Sequence, residues 1–208
     1  FMKAIGYKNK DFNIKEPFKG LFTQGMVCHE TYKDENGKWL SPDEIELIGN
    51  RYQKKGEPKS KIKVGPSESM SKSKKNVIDP EYIINNYGAD AVRLFILSDS
   101  PPEKDVQWSD QGMVASYKFL QKLWILHSKI KIKIENNLDI LNENNEIEKF
   151  TNQMTNKITS NLENFSYNKI IANIYETYNF LNKQIQKKIN SKSLKENYIK
   201  ILILLTPA

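Results

Sequence analysis

From Gly112 onward, apolar residues recur every three or four positions along the chain. This spacing is the period of an α-helix with one apolar face, so each such stretch predicts a helix that packs along one side. The stripes are Met113, Tyr117, Leu120, Trp124 and His127; Met154, Ile158, Leu162 and Phe165; Ile170, Ile174, Tyr178, Leu181 and Ile185; and Leu194, Tyr198, Ile201 and Leu205. They predict a helical bundle, with a solvated or frayed connector at residues 136–148 between its first two helices.

The first third of the chain has a different pattern. Residues 20–29, GLFTQGMVCH, are apolar and compatible with a strand, and they predict a buried strand. Asn36-Gly37 stands between two short apolar stretches and predicts a hairpin, because these residues accept the positive φ angles of a tight turn. Lys61-Ile62-Lys63-Val64 alternates like an exposed strand. The pattern therefore predicts a small β-rich region.

Two short helices are predicted between this region and the bundle. Asp79 is a suitable N-cap and Gly88 a suitable stop, so the first helix spans Pro80–Tyr87. A second helix fits residues 90–97, and Ser109 with Asp110 caps the helix that begins the bundle. The order of elements is thus α/β followed by α.

The chain of 208 residues is basic, with 32 Lys and Arg against 25 Asp and Glu and a formal net charge of +7. A positive surface favours an anionic partner such as nucleic acid or nucleotide phosphate. The single cysteine, Cys28, excludes an internal disulfide and a cysteine-cluster metal site, so we expect a cytoplasmic protein without metal ligands. No apolar run reaches the roughly 20 residues that cross a bilayer, and we expect no membrane partner.

The stretch ESMSKSKKN, called here the Lys/Ser loop (residues 68–76), carries the candidate chemistry. It is predicted to lie between a strand and the capped helix at Pro80. Its lysines suit a site where negative charge develops on phosphate, and its serines add hydroxyl groups. By composition alone, a solvated linker is the more common explanation of such a stretch.

The order of residues in the Lys/Ser loop resembles a known signature. Residues 69–73, SMSKS, resemble the Lys-Met-Ser-Lys-Ser signature of class I aminoacyl-tRNA synthetases, and KKNVIDPEYIINNYGADAVRLFIL after them is similar to the same class. Within that class, GLFTQGMVCHETYKDENGKWLSP and SDSPPEKDVQWSDQGMVASYKFLQKLW resemble leucyl-tRNA synthetases of bacterial or organellar type. The resemblance weakens after about Ile130.

The resemblance implies a chain of four parts from a longer, monomeric parent. Residues 1–27 would end a Rossmann-like nucleotide-binding catalytic domain, and residues 28–66 would form a leucine-specific insert. Residues 67–110 would hold the Lys/Ser loop and a connecting segment, and residues 111–208 would form a truncated α-helical anticodon-binding bundle. Lysines on the outer faces of this bundle would meet tRNA phosphates: Lys118, Lys122, Lys129, Lys131, Lys133, Lys183, Lys187 and Lys188.

The resemblance also implies an activity and its residues. The parent would use ATP with Mg²⁺ to form leucyl-adenylate and would then transfer leucine to tRNA(Leu). Lys72 matches the second lysine of the signature and would be the catalytic residue that neutralises charge on the ATP phosphates. The ATP-binding residues would be Ser69, Met70, Ser71, Lys72 and Ser73. Met70 would anchor the loop by packing, and no residue is expected to bind a metal.

Two departures from the family pattern affect this expectation. Ser69 replaces the first lysine of the signature, which would weaken activation unless Lys74 or Lys75 substitutes for it. The His-x-Gly-His motif of the class is absent: His29 has no such context, and His127 is expected to be a hydrogen-bonded core residue. We therefore expect the 208-residue chain to be inactive by itself.

Two alternatives remain open from the sequence. In the first, the chain is a non-catalytic module or a truncated paralogue that binds structured RNA. A longer parent protein that carries His-x-Gly-His would exclude this alternative. In the second, the chain belongs to another class I synthetase, such as the isoleucyl or valyl enzyme. The insert directly before the Lys/Ser loop and the absence of a zinc-type cysteine pair argue against this second alternative.

Overall fold

The computed structural model describes residue 7 and residues 18–58, 60–136 and 145–206, and in this part the chain is mixed α/β, as predicted. The strands are β1 (Val27–Lys33), β2 (Trp39–Leu40), β3 (Ile45–Ile48), β4 (Arg51–Lys54), β5 (Lys63–Ser69) and β6 (Val106–Gln107). The helices are α1 (Pro80–Tyr87), α2 (Ala89–Asp99), α3 (Asp110–Glu135), α4 (Asn145–Glu163), α5 (Tyr167–Gln184) and α6 (Ser191–Leu205), with a 3-10 turn at Pro42–Glu44.

Strand β1 is the central strand of the main sheet. β5 pairs with it antiparallel along its length, with Cys28 opposite Ser69 at one end and Lys33 opposite Lys63 at the other. β2 lies antiparallel to the second half of β1, and the short β6 lies parallel to its start. β1 therefore connects the strand that leads into the Lys/Ser loop with the segment that leads into helix α3.

The predicted hairpin is confirmed. Tyr32 of β1 pairs with Leu40 of β2, and Gly37 in the turn has a φ of 80°. The chain continues into a second antiparallel hairpin of β3 and β4. Tyr32, Leu40 and Ile45 form a small buried core, so this region is held together by its own apolar contacts.

The predicted strand at residues 20–29 is wrong in its first part, because β1 begins at Val27. Leu21 is 90% exposed and Phe22 and Met26 are also exposed. The neighbouring segment contains Pro101 and Pro102, which have no N–H to donate to a ladder. Regular pairing starts only where β6 begins.

Both short helices are confirmed by their caps. The Asp79 side chain accepts a hydrogen bond from the Glu81 backbone N–H, and Gly88 follows α1 with a φ of 82°. Ser109 accepts from the Gly112 N–H at the start of α3. Helix α2 is longer than predicted, since it runs to Asp99.

The bundle is present, and its core divides into two clusters. The apolar stripes predicted on α5 and α6 are buried or half-buried as expected. One cluster contains buried residues of α3, α4, α5 and α6, and the other packs Leu94 of α2 against α3, α4 and α5. On α4 the stripe holds except at Phe165, which lies beyond the helix end and is 46% exposed.

The apolar face predicted for α3 is partly wrong. Met113 is buried, but Trp124 is 72% exposed, and the buried residues include Phe119, Leu126 and Ile130. The segment at residues 123–126 is apolar at four consecutive positions, so its period alone does not select one face. The packing of α2 and α6 against α3 makes that selection.

The predicted connector at residues 136–148 extends too far at its C-terminal end. Helix α4 begins at Asn145, and Ile147 is fully buried in the bundle core. The part of this prediction that falls on residues 137–144 lies outside the described residues.

Candidate functional site

The Lys/Ser loop rises directly from the main sheet. Its first two residues belong to β5, so Ser69 is an exposed strand residue opposite Cys28. The next amide, that of Met70, donates to the Val27 carbonyl at 3.1 Å. Met70 is half-buried. The free part of the loop is therefore short and begins at Ser71.

Asn76 closes this loop at its base and is fully buried. Its side-chain carbonyl accepts a hydrogen bond from the Ser71 backbone N–H at 2.9 Å. Its amide group donates to the carbonyl of His29 at 3.2 Å and to that of Glu68 at 3.0 Å. The sequence gives Asn76 no role, because its partner His29 is 47 residues away and backbone carbonyls carry no signal in a sequence.

Two of the three lysines in the loop have carboxylate partners. The Lys74 ammonium contacts the carboxylate of Glu68. The Lys75 ammonium lies 3.2 Å from a carboxylate oxygen of Glu44, which comes from the 3-10 turn after β2. Each side chain in these pairs is between a third and a half exposed, so the pairs are accessible to solvent and individually weak.

The Glu44 carboxylate is held by more than Lys75. It also accepts hydrogen bonds from the backbone N–H and the hydroxyl group of Ser41, at 2.8 and 3.1 Å. The pKa of Glu44 is lowered, chiefly by the Ser41 backbone N–H and further by Lys75. A carboxylate fixed in this way keeps Lys75 directed toward the β-rich region.

Lys72 differs from its neighbours. It is exposed and has no ion-pair partner in the part of the chain that the structure describes. Beside it, the hydroxyl groups of Ser71 and Ser73 are hydrogen-bonded to each other at 2.7 Å. One unpaired ammonium and two hydroxyl groups at the tip of a short loop are suited to an anionic ligand.

Neither histidine contributes to this set. His29 is buried, and its Nδ1 lies 2.9 Å from the Glu30 carbonyl. Nδ1 of His127 is 2.8 Å from the Tyr198 hydroxyl, as expected for a hydrogen-bonded residue of the bundle. Among the described residues there is no cluster of three or more His, Cys, Asp or Glu side chains that would hold a metal ion.

The eight lysines expected to face tRNA fall into two groups. Lys133 donates to the carbonyls of Ile185 and Lys187, so it stabilises the end of α5, and Lys187 pairs with Glu146 at 3.0 Å. Lys131 lies 3.9 Å from Glu135. Over the described ranges the others are exposed and make no ion pair: Lys118, Lys122, Lys129, Lys183 and Lys188. No described helix is long and apolar enough to span a membrane.

Known proteins resemble this chain over most of its length. Residues 62–109 match the family model of class I tRNA synthetases (I, L, M and V). The chain is 46% identical over 195 residues to a leucine-tRNA ligase of Wolbachia pipientis subsp. Culex pipiens (strain wPip), covering 92% of this chain and 23% of that protein. It is 41% identical over 209 residues to that of Rickettsia massiliae (strain Mtu5), covering 100% of this chain and 25% of that protein.

The fold is also seen in solved structures. The agnB2 LeuRS of Agrobacterium radiobacter K84, crystallised in a ternary complex with tRNA and LeuAMS, matches with a TM-score of 0.68 and 24% identity. The match covers 99% of this chain and 23% of that one. The chain thus spans about a quarter of the length of the proteins that it resembles.

Proposed function

We propose that this chain, which belongs to the leucyl-tRNA synthetase family, is one segment of a longer enzyme that uses ATP to join leucine to tRNA(Leu). In this proposal residues 1–27 end the Rossmann-like catalytic domain and residues 28–66 form the insert. Residues 67–110 carry the Lys/Ser loop and the connection to the tRNA, and residues 111–208 form part of the anticodon-binding bundle. The enzyme would act as a cytoplasmic monomer.

The observation that carries the proposal is the isolation of Lys72. Lys74 and Lys75 face carboxylates, whereas the Lys72 ammonium pairs with no carboxylate of the described residues and can meet another anion. When the leucine carboxylate attacks the α-phosphorus of ATP, the bond to pyrophosphate breaks and negative charge grows on the leaving oxygen. An ammonium placed there stabilises this charge more than it stabilises the ground state.

The neighbouring residues would bind and position ATP. Ser71 and Ser73 offer hydroxyl groups to the nucleotide or to the loop, Met70 fixes the base of the loop, and Ser69 lies at its edge. Mg²⁺ does not fit as an ion held by these residues, because Glu68 and Glu44 already face lysines. Its ordinary place is on the phosphates themselves, where it offsets their charge.

The experiment is leucine-dependent ATP–pyrophosphate exchange by the complete polypeptide that contains these residues. We expect Lys72→Ala to lower kcat by about 100-fold, the typical loss when one preorganised donor to developing charge is removed. Ser69→Lys should raise kcat, because the other two lysines of the loop are paired. Lys200→Ala, which removes an exposed lysine of α6 that the proposal assigns no role, should leave kcat unchanged.

Three results would contradict the proposal. One is exchange that depends on isoleucine or valine rather than leucine, which would favour another class I synthetase. The second is no difference between Lys72→Ala and Lys200→Ala, which would remove Lys72 from the reaction. The third is no exchange with any amino acid. A non-catalytic RNA-binding role, favoured by the unpaired lysines of the bundle, would then be the better account if the polypeptide still binds tRNA.

A further inference from the structure

We propose that Asn76 is a positioning residue for Lys72, an inference that rests on the proposed function. Asn76 is fully buried at the base of a lysine-rich loop, where most side chains are exposed or half-buried. It would act on the reaction without touching ATP, by fixing the direction in which the loop leaves the sheet.

The hydrogen bonds of Asn76 fix the rotamer of its side chain. A side-chain amide has two N–H donors and one carbonyl acceptor. In Asn76 the donors reach the carbonyls of His29 and Glu68, and the acceptor takes the N–H of Ser71. Because every group is paired away from water, another rotamer would break several hydrogen bonds at once.

These partners connect three parts of the chain. His29 lies on β1, Glu68 on β5, and Ser71 is the first residue of the free loop. Lys72 follows Ser71 directly, so the atom that Asn76 holds is one peptide unit from the catalytic lysine. The loop returns to Asn76 through Lys75, which has a φ of 55° and makes the sharp reversal that this closure needs.

A purely structural asparagine would have a different signature. Removing its side chain takes the acceptor from the Ser71 N–H and one donor from each of two strand carbonyls, which lowers stability whatever the role of Lys72. Loss of stability is therefore no test of positioning. The distinguishing quantity is the coupling between Asn76 and Lys72 in kcat.

The test is a double-mutant cycle in leucine-dependent ATP–pyrophosphate exchange by the complete polypeptide. We expect Asn76→Ala to lower kcat by about 10-fold to 100-fold. Added to Lys72→Ala, it should lower kcat by no more than about twofold further, because a residue that acts through Lys72 has nothing left to position. Asn86→Ala, which truncates an exposed asparagine on α1, should leave kcat unchanged in both backgrounds.

A second variant keeps the test valid if Asn76→Ala does not fold. Asn76→Thr has nearly the same volume, carries no charge and keeps one hydroxyl group in place of the amide, so it avoids a buried charge facing the His29 and Glu68 carbonyls, and it should show the same non-additivity. Losses from Asn76 and Lys72 that multiply would overturn the inference and leave Asn76 as a structural residue. If Lys72→Ala alone has no effect, the proposed function fails instead, so the two failures are distinguishable.

Discussion

Gly25 lies where two segments of backbone meet. Its N–H donates to the Pro102 carbonyl at 2.8 Å. A Cβ at this position would stand 2.0 Å from the Lys104 carbonyl oxygen, a distance that no side chain tolerates. The next residue, Met26, donates its N–H to the Asp105 side chain at 2.8 Å. Glycine is therefore required where the chain comes alongside the loop after α2.

We expect Gly25→Ala to destabilise the chain by about 1–3 kcal/mol, because the added methyl group meets backbone that must shift. The displacement would also strain the pairing of β1 with β6, which starts at Val27. Urea-induced unfolding followed by circular dichroism measures the change. Gly20→Ala is the matched control, since no atom lies within 4 Å of its added Cβ. Equal effects from the two substitutions would contradict the close approach at Gly25.

Helices α3 and α6 meet through a polar contact inside an otherwise apolar interface. Tyr198 of α6 is 8% exposed, and its hydroxyl group is bonded to His127 of α3. Burial raises the pKa of Tyr198 to about 12, because the phenolate is poorly solvated there. The buried hydroxyl is tolerated as long as it is neutral and paired.

This shift makes part of the stability depend on pH. The pKa of Tyr198 is about 10 in the unfolded chain, and burial raises it to about 12 in the folded one. Its contribution is complete below about pH 10 and is lost as pH rises through about 12. We expect Tyr198→Phe to be less stable than wild type at about pH 8, and the gap to shrink by roughly 1.4 kcal/mol at about pH 11. Urea unfolding of both proteins at the two pH values measures the difference in their free energies of unfolding. A difference that does not change with pH would contradict the effect of burial on the pKa of Tyr198.

Local chemistry made some elements predictable from the sequence. Asp79 and Ser109 cap helices, and Asn36-Gly37 makes a hairpin, because each effect depends on residues within four positions. The start of β1 and the buried face of α3 were predicted incorrectly, since each depends on a partner far along the chain. Trp124 illustrates this: its spacing fits an apolar stripe, but the neighbouring helices cover another face.

The same limit applies to the candidate site. The position of the Lys/Ser loop followed from the order of strand, loop and capped helix. The ion pair between Lys75 and Glu44 could not be predicted from the sequence, because the two residues are 31 positions apart. Asn76 was missed for a similar reason: its value comes from complete burial between two strands, and an asparagine beside lysines gives no sign of burial in the sequence.

The charge on the bundle predicts which of its faces would contact tRNA in the proposed function. Lys118, Lys122 and Lys129 are spaced by four and seven residues, so they lie on one face of α3. Each is exposed and unpaired over the described residues, and their side chains are therefore available to phosphates. Lys157 on α4 is instead bound to Glu176 at 3.1 Å.

We expect replacement of these three lysines by alanine to weaken tRNA binding and to make it less dependent on salt. Each lost phosphate contact removes about one released counterion from the salt dependence, so the slope of log affinity against log salt should become shallower. Lys157→Ala is the control and should change neither quantity. Binding of the 208-residue chain to tRNA, measured by fluorescence anisotropy at several salt concentrations, tests this. Identical slopes would mean that this face does not meet tRNA.

The β-rich region leaves β1 at Lys33 and enters β5 at Lys63, and these two residues are paired neighbours. Between them, β2 lies in the main sheet beside β1, and the chain after β2 forms the separate hairpin of β3 and β4. This hairpin lies outside the main sheet, so its length can change without shifting the register of β1 and β5, and a protein engineer can place a reporter there. A graft should keep Leu40, which shares the small core with Tyr32, and a carboxylate that reaches Lys75 as Glu44 does.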